Sequence, residues 1–260
     1  MTEQPKLVVS GVGCRFGDVW ALDSIDLSVD RGEFVSIVGP SGCGKSTLFN
    51  VLSGLQEPTA GTVVIDGADV TGRTGHVGYM MQKDLLLPWR TVIGNITLGA
   101  SLTRGVTAAD RTQAATLATR YGLGGFLNHY PHALSGGMRQ RVAFMRTLAL
   151  GKDVLLLDEP FGALDSQTRL DMQMWLMSVC RDLAATILFV THDVDEAIFL
   201  ADRVIVMSAR PGRIATTVPV TLERPRSVDT LVTTDFIDIK RAVITALRQP
   251  SVEPATGLTP

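Results

Sequence analysis

Between residues 39 and 46 the chain reads Gly39-Pro40-Ser41-Gly42-Cys43-Gly44-Lys45-Ser46, and no other stretch narrows the possible folds so far. The glycines let successive backbone N–H groups turn onto one anion, and the dipole of a following helix adds favourable potential. Every fixed position of the phosphate-loop pattern is met. Lys45 is placed to reach the β- and γ-phosphates of a nucleotide, and the Ser46 hydroxyl to ligate Mg²⁺. The pattern demands a strand before it and a helix after it. Both are written here: the apolar run Phe34-Val35-Ser36-Ile37-Val38 stops at Gly39, and residues 46–55 read as helical. A chance glycine-rich turn has no reason to carry those flanks.

A chain of 260 residues holds one large domain or two small ones. Lys and Arg total 24 against 26 for Asp and Glu, a net charge of −2, so no global attraction toward nucleic acid is visible. Cys14, Cys43 and Cys180 are odd in number and far apart, giving neither a disulfide framework nor a zinc spacing. A membrane-spanning helix needs about 20 mostly apolar residues, and the best apolar runs, 154–157 and 187–190, are strand-sized. Residues 1–6 are polar and lead into no long apolar region, so no signal peptide is expected. The chain is expected to be soluble and cytoplasmic, reaching a membrane only through a partner.

Ile25, Leu27 and Val29 alternate with polar residues as in a half-buried strand, and residues 62–65 and 76–80 read as further strands. Residues 107–121 are rich in Ala, Leu and Arg, and Thr107 with Asp110 forms a capping arrangement. Residues 90–150 therefore read as helical. Strand and helix then alternate over 154–157, 168–183, 187–190, 194–201 and 204–207, which argues for a mostly parallel α/β sheet. Further on, Phe236, Ile239, Val243 and Leu247 can line one helical face. Residues 249–260 have three prolines and few apolar residues, and are expected to be disordered.

Two more elements carry chemistry. Val154-Leu155-Leu156-Leu157-Asp158-Glu159 is a buried strand ending in two carboxylates. Beside a nucleotide, Asp158 would hold the Mg²⁺ shell and Glu159 would polarise an attacking water. The other is Leu134-Ser135-Gly136-Gly137-Met138, which offers backbone donors at a second helix start but has no phosphate-loop lysine of its own. Two phosphate-binding termini in one chain invite a composite site, in which one molecule's second terminus completes another's first.

In this order and with these residues the sequence resembles the ATP-binding-cassette ATPases, specifically the nucleotide-binding subunits of transporters, over residues 8–213. Residues 39–47, through Thr47, resemble the family's Walker A motif, Gln82 its Q-loop glutamine and 134–138 its signature. Asp158-Glu159 resembles Walker B with the catalytic glutamate, Ala163-Leu164-Asp165 the D-loop, and His192 the switch histidine. The resemblance implies a phosphate-loop cassette with a mostly parallel core sheet, an N-terminal antiparallel β part and an inserted helical subdomain. The cassette spans residues 6–215, with the helical part at about 88–150 and a C-terminal extension over 216–260. It further implies ATP contacts from Phe16, residues 39–47, Ser135, Gly136, Gly137 and Asp165, catalysis by Glu159, His192 and Gln82, and Mg²⁺ at Ser46, Gln82 and Asp158. Two positions depart from the pattern. Met138 stands where the signature usually ends in glutamine, and the adenine-stacking aromatic falls on Phe16, which stacks without a hydroxyl and could equally be an ordinary core or surface residue.

A phosphate-loop kinase or GTPase leaves 134–138 and His192 unexplained. A cassette acting on DNA or ribosomes generally has two cassettes per chain or a coiled-coil insertion, and neither is seen. Transport leads, with a soluble, non-transport cassette ATPase as the alternative. The resemblance then implies a head-to-tail, ATP-dependent homodimer, transmembrane permease subunits, a periplasmic or lipid-anchored substrate-binding protein reached indirectly, and a place on the cytoplasmic face of the membrane. Residues 81–90, Met81-Gln82-Lys83-Asp84-Leu85-Leu86-Leu87-Pro88-Trp89-Arg90, look like those of the nitrate, sulfonate and taurine importers, as do Ala209-Arg210-Pro211-Gly212-Arg213-Ile214. Related cassettes serve importers of pyrimidine precursors and other small molecules. Leu85-Leu86-Leu87-Pro88-Trp89 is apolar enough either to receive a permease element or to fill a joint within the fold. Cys43, beside Lys45 and a helix start, is read as an inert small residue in native function, yet maleimide is expected to alkylate it and block the phosphate site, with protection by ATP and with Cys43→Ala active and resistant.

Overall fold

The computed structural model describes residues 4–183 and 185–248. Two sheets organise it. The first is antiparallel, built from β1 (Leu7–Phe16), β2 (Val19–Val29), β4 (Ala60–Ile65) and β5 (Ala68–Asp69) in the order β2-β1-β4-β5. The second contains β3 (Phe34–Val38), β6 (Gly78–Met80), β7 (Val154–Asp158), β8 (Thr186–Val190), β9 (Arg203–Met207) and β10 (Ile214–Pro219), ordered β10-β9-β3-β8-β7-β6. All of its pairings are parallel except that of β10 with β9. This is the fold class the sequence implies: a mostly parallel core sheet with an antiparallel N-terminal part and helices.

The continuous apolar runs of β3, β7 and β8 follow from burial on both faces. Phe34, Val38, Leu155, Leu157, Ile187 and Phe189 point into a core shared with the helices. Their neighbours Val35, Ile37, Val154, Leu156, Leu188 and Val190 point into a second core with the antiparallel sheet and α1 (Lys45–Leu52). A polar substitution in these strands meets a core on either face. Outside the sheets, α2 (Val92–Ile96), α3 (Leu98–Thr103), α4 (Ala108–Arg120) and α5 (Gly136–Leu148) form the helical stretch read between residues 90 and 150. The capping box is present, with Thr107 accepting from the Asp110 N–H and Asp110 accepting from the Thr107 N–H.

The chain continues through α6 (Ser166–Leu183), α7 (Val194–Leu200) and α8 (Thr234–Arg248). Phe236 and Val243 of α8 are buried in the helix-side core, with Ile239 and Leu247 packed against it, as the 3.6-residue spacing requires. Lys240 pairs with Asp195 of α7 at 2.7 Å. Arg226 is 3% exposed and its Nη1 donates to the carbonyls of Ile198, Phe199 and Ala201, at 3.0, 3.0 and 2.7 Å. It therefore closes the C-terminal end of α7, where backbone carbonyls lack helical partners, while burial pulls its own pKa down to about 10. The tail expected to be disordered, 249–260, lies outside the described residues. Among those described, no helix is long and apolar enough to cross a membrane.

Candidate nucleotide site

Four neighbouring parallel strands, β3, β8, β7 and β6, end along one edge of the sheet, and each delivers a different segment there. β3 leads into residues 39–44, β7 ends in Asp158 and Glu159, β8 leads to His192, and β6 leads to Gln82. The carboxyl edge of a parallel sheet is where α/β proteins bind ligands, because the loops there share one exit direction. A cavity of about 390 Å³ opens at this edge, lined by Ser41, Gly42, Gly44, Lys45, Ser46, Thr47, Gln82, Glu159, His192 and Arg210.

The loop's conformation needs its glycines. Gly44 has φ +105°, and a Cβ there would sit 2.7 Å from Leu22 Cδ2 and 2.8 Å from the Ala21 carbonyl. Lys45 is 7% exposed, and its Nζ donates to the carbonyls of Gly39 and Pro40 at 2.8 and 3.1 Å. The ammonium is thus held across the loop, at the first turn of α1. Gly44, the N-cap of α1, makes no side-chain cap, so the helix's first N–H groups face the cavity without a side-chain acceptor.

Asp158 is 5% exposed and accepts from the Tyr79 hydroxyl at 3.3 Å. Burial raises its pKa, opposed by a hydrogen bond from the Ser46 hydroxyl. A desolvated carboxylate beside a hydroxyl is a hard oxygen pair that a divalent cation would stabilise. Tyr79 escaped the sequence reading except as a strand residue. Burial, then the charge of Asp158, pushes its hydroxyl pKa up, so it stays a neutral donor.

Glu159 is the junction of three segments. Its Oε2 accepts from Gln82 Nε2 at 3.0 Å and lies 3.3 Å from His192 Nδ1. Its backbone has φ +44°, uncommon for a residue with a side chain and costing on the order of 1 kcal/mol. The turn is held by its N–H on the Val190 carbonyl at 2.9 Å and by its own carbonyl, which accepts from Gly162 N–H at 3.1 Å. From this turn the carboxylate meets both Gln82 and His192.

The other residues picked out in the sequence lie elsewhere. Ser135 caps α5, accepting from the Met138 N–H at 3.3 Å. Gly136 and Gly137 pack against Leu164 and Thr168, where a Cβ would come within 3.3 and 3.0 Å. Asp165 accepts from the Thr168 N–H at 3.0 Å, which lowers its pKa. None of these four lines the cavity of this copy. Phe16 is 50% exposed at the tip of the β1–β2 hairpin, so it is no core residue.

Cys43 corrects an expectation. Its backbone belongs to the loop, but its side chain is 1% exposed and belongs to the core on the antiparallel-sheet side, with Sγ 3.7 Å from Lys45 Nζ. The thiol therefore does not face phosphate space. Maleimide is expected to leave Cys43 unmodified in the native protein and to leave ATPase activity intact, with modification seen by mass spectrometry only after denaturation; rapid native labelling at Cys43 would contradict this. The other thiols are also poor targets, since burial raises the pKa of Cys14 and pushes that of Cys180 up to about 12.

Fold and site together define a phosphate-loop ATPase. Residues 22–162 match the family described as ABC transporter. An uncharacterised ABC transporter ATP-binding protein of Methanocaldococcus jannaschii is 45% identical over 231 residues, covering 88% of this chain and 85% of the relative. The taurine import ATP-binding protein TauB of Yersinia pestis is 42% identical over 208 residues, covering 80% and 82%. Among solved structures, a dimeric ATP-binding cassette in a post-hydrolysis state bound to ADP and Pi superposes with a TM-score of 0.71 at 31% identity, covering 84% of this chain and all of that one. The chain belongs to the ABC transporter family, as the ATP-hydrolysing subunit of a transporter.

Proposed function

We propose that this ATPase energises an importer for a small anion, of the class of nitrate, sulfonates or taurine. The observation that carries the reading is its likeness to a taurine import subunit over 80% of the chain. An importer of another small solute, such as a pyrimidine precursor, is the second reading, since the M. jannaschii relative is uncharacterised.

In this reading Lys45 and the N–H groups of residues 39–47 hold the phosphates, and the exposed face of Phe16 stacks on adenine. Ser46, Asp158 and Gln82 supply oxygens to Mg²⁺. The ion neutralises charge on the phosphate oxygens when bound. Glu159 takes a proton from the attacking water, while Gln82 and His192, both on its carboxylate, fix its direction. Ser135, Gly136, Gly137 and Asp165 lie outside the cavity because they serve the site of a second copy in a head-to-tail dimer; the dimeric relative supports this. Residues 6–215 act as the cassette, with 88–150 its helical subdomain and 216–260 its extension.

Docking to permease subunits falls on part of residues 85–89. Leu86 is buried in the core, whereas Leu85 is 51% and Trp89 71% exposed. The segment is held rigidly. Buried Asn95 accepts from the Leu87 N–H at 2.8 Å and donates to the carbonyls of Leu87, Arg90 and Thr91, while Arg146 donates to those of Asp84 and Leu85. Two large apolar side chains on a fixed loop suit a permease element; in this reading the subunit works on the cytoplasmic membrane face, with a substrate-binding protein beyond the permease.

Deleting the gene in its host and measuring uptake of labelled taurine, another sulfonate and nitrate tests both levels. Loss of uptake for one of them is expected, restored by the wild-type gene. Complementation with Trp89→Ala is expected to restore several-fold less uptake while the purified variant loses much less basal ATPase activity. Unchanged uptake of all three solutes removes the small-anion reading; equal losses of uptake, basal activity and folding stability remove the docking role of Trp89.

A further inference from the structure

The turn from Ala209 to Ile214, a mark of likeness to one importer group in the sequence, brings Arg210 to the lining of the phosphate site. Gly212 N–H donates to the Ala21 carbonyl at 2.9 Å, and the Gly212 carbonyl accepts from the Asp23 N–H at 3.0 Å. A Cβ on Gly212 would lie 2.0 Å from the Cys43 carbonyl oxygen, so this turn presses directly on the loop's backbone. Arg213 fixes the other side by pairing with Asp23 at 3.0 Å. From this braced turn Arg210 reaches over the loop. Its Nε and Nη2 donate to the Gly42 carbonyl at 3.2 and 3.1 Å, and the guanidinium lines the same cavity as Lys45 and Ser46. No carboxylate pairs with it among the described residues, and its Nη1 has no protein acceptor there. A guanidinium carries five donors in a planar fork suited to phosphate oxygens, so one edge can hold the loop while another remains for an anion.

We propose that Arg210 is a second cationic ligand for the phosphate chain of the nucleotide, gripping the Gly42 carbonyl with one edge and a phosphate oxygen with the other. The inference rests on residues 39–47 binding ATP. It gives the site a cation from the β9–β10 turn in addition to Lys45 of α1.

The test is Mg-ATP and Mg-ADP binding by calorimetry on the full chain, with R210A, R210K and R210Q beside the wild type and melting temperatures of the nucleotide-free proteins as control. The expected result is roughly tenfold weaker binding of both nucleotides by R210A, as for loss of one charge-assisted hydrogen bond. R210K recovers most of the affinity, R210Q behaves like R210A, and the loss narrows as salt is raised. Unchanged affinity in R210A overturns the proposal. So does recovery by R210Q but not R210K, with a lowered melting temperature in R210A, because that pattern belongs to a mere latch on Gly42. If the wild type itself binds no Mg-ATP, the ATP reading of residues 39–47 falls and takes this one with it; if it binds and R210A binds equally, only Arg210 is lost.

Discussion

Glu159→Gln is expected to bind ATP at near wild-type affinity, to lose hydrolysis by about 10²- to 10⁴-fold, the usual worth of a general base, and to accumulate as an ATP-bound dimer. The geometry explains why binding and turnover should separate. Gln keeps the shape, and its amide oxygen can still accept from Gln82 Nε2, which lies 3.0 Å from Glu159 Oε2. What is lost is the ability to take a proton beside His192. Neither Lys45 nor Asp158 touches the altered atoms, so the phosphate and Mg²⁺ contacts should stand. Phosphate release with purified protein, and size-exclusion chromatography with and without ATP, read the two effects. Hydrolysis at the wild-type rate would remove Glu159 from the catalytic role.

Lys45→Ala should act one step earlier. Its ammonium is confined by two loop carbonyls at 2.8 and 3.1 Å, so it is already positioned over the phosphate cradle and loses little freedom on binding. A charge-assisted hydrogen bond contributes about 1.5–3 kcal/mol, which corresponds to roughly 10- to 150-fold in nucleotide affinity. The variant should also lose the cross-loop ties, so its loop should be cut faster by protease. Fluorescent-nucleotide titration checks the affinity. A Lys45→Ala protein that binds ATP like the wild type but turns it over slowly would shift the lysine's role from binding to the chemical step.

How much of this was readable in advance depended on how local each feature is. The phosphate loop, the buried strand β7 and the Thr107–Asp110 cap are each specified within a few residues, and all three appear where the sequence places them. Strand β1 went unread because its alternation is broken: register shifts occur between Val9 and Val12 and again toward Cys14 and Arg15, and Gly11 sits at φ +58°. A bulge inserts a residue and reverses which positions face inward, so a period-2 pattern cannot survive there. The direction of the Cys43 side chain was equally hidden, since a loop residue's neighbours in sequence do not say whether it faces ligand or core. The meeting of Gln82, Glu159 and His192 was implied by a family likeness alone. They are separated by 77 and 33 residues, and only the order of strands in the sheet brings them to one edge. Arg210 has no local signal beyond the likeness of residues 209–214 to one importer group.

The contact of Arg226 with the end of α7 bears on where this protein can be divided. α7 is seven residues long, its first turn capped by Asp193, which directly follows His192. Its far end is closed by a guanidinium that enters after the last sheet strand, and its flank is tied to α8 through Asp195. A chain trimmed to the sheet and the nucleotide motifs would leave three carbonyls buried beside apolar residues with their donor removed, and the short helix free to shift as a unit. The smallest piece that keeps His192 at its address therefore runs well past every motif that recognises ATP. Chimeras that join this cassette to a foreign C-terminal segment should be spliced beyond α8, because an earlier seam would move the catalytic edge from behind.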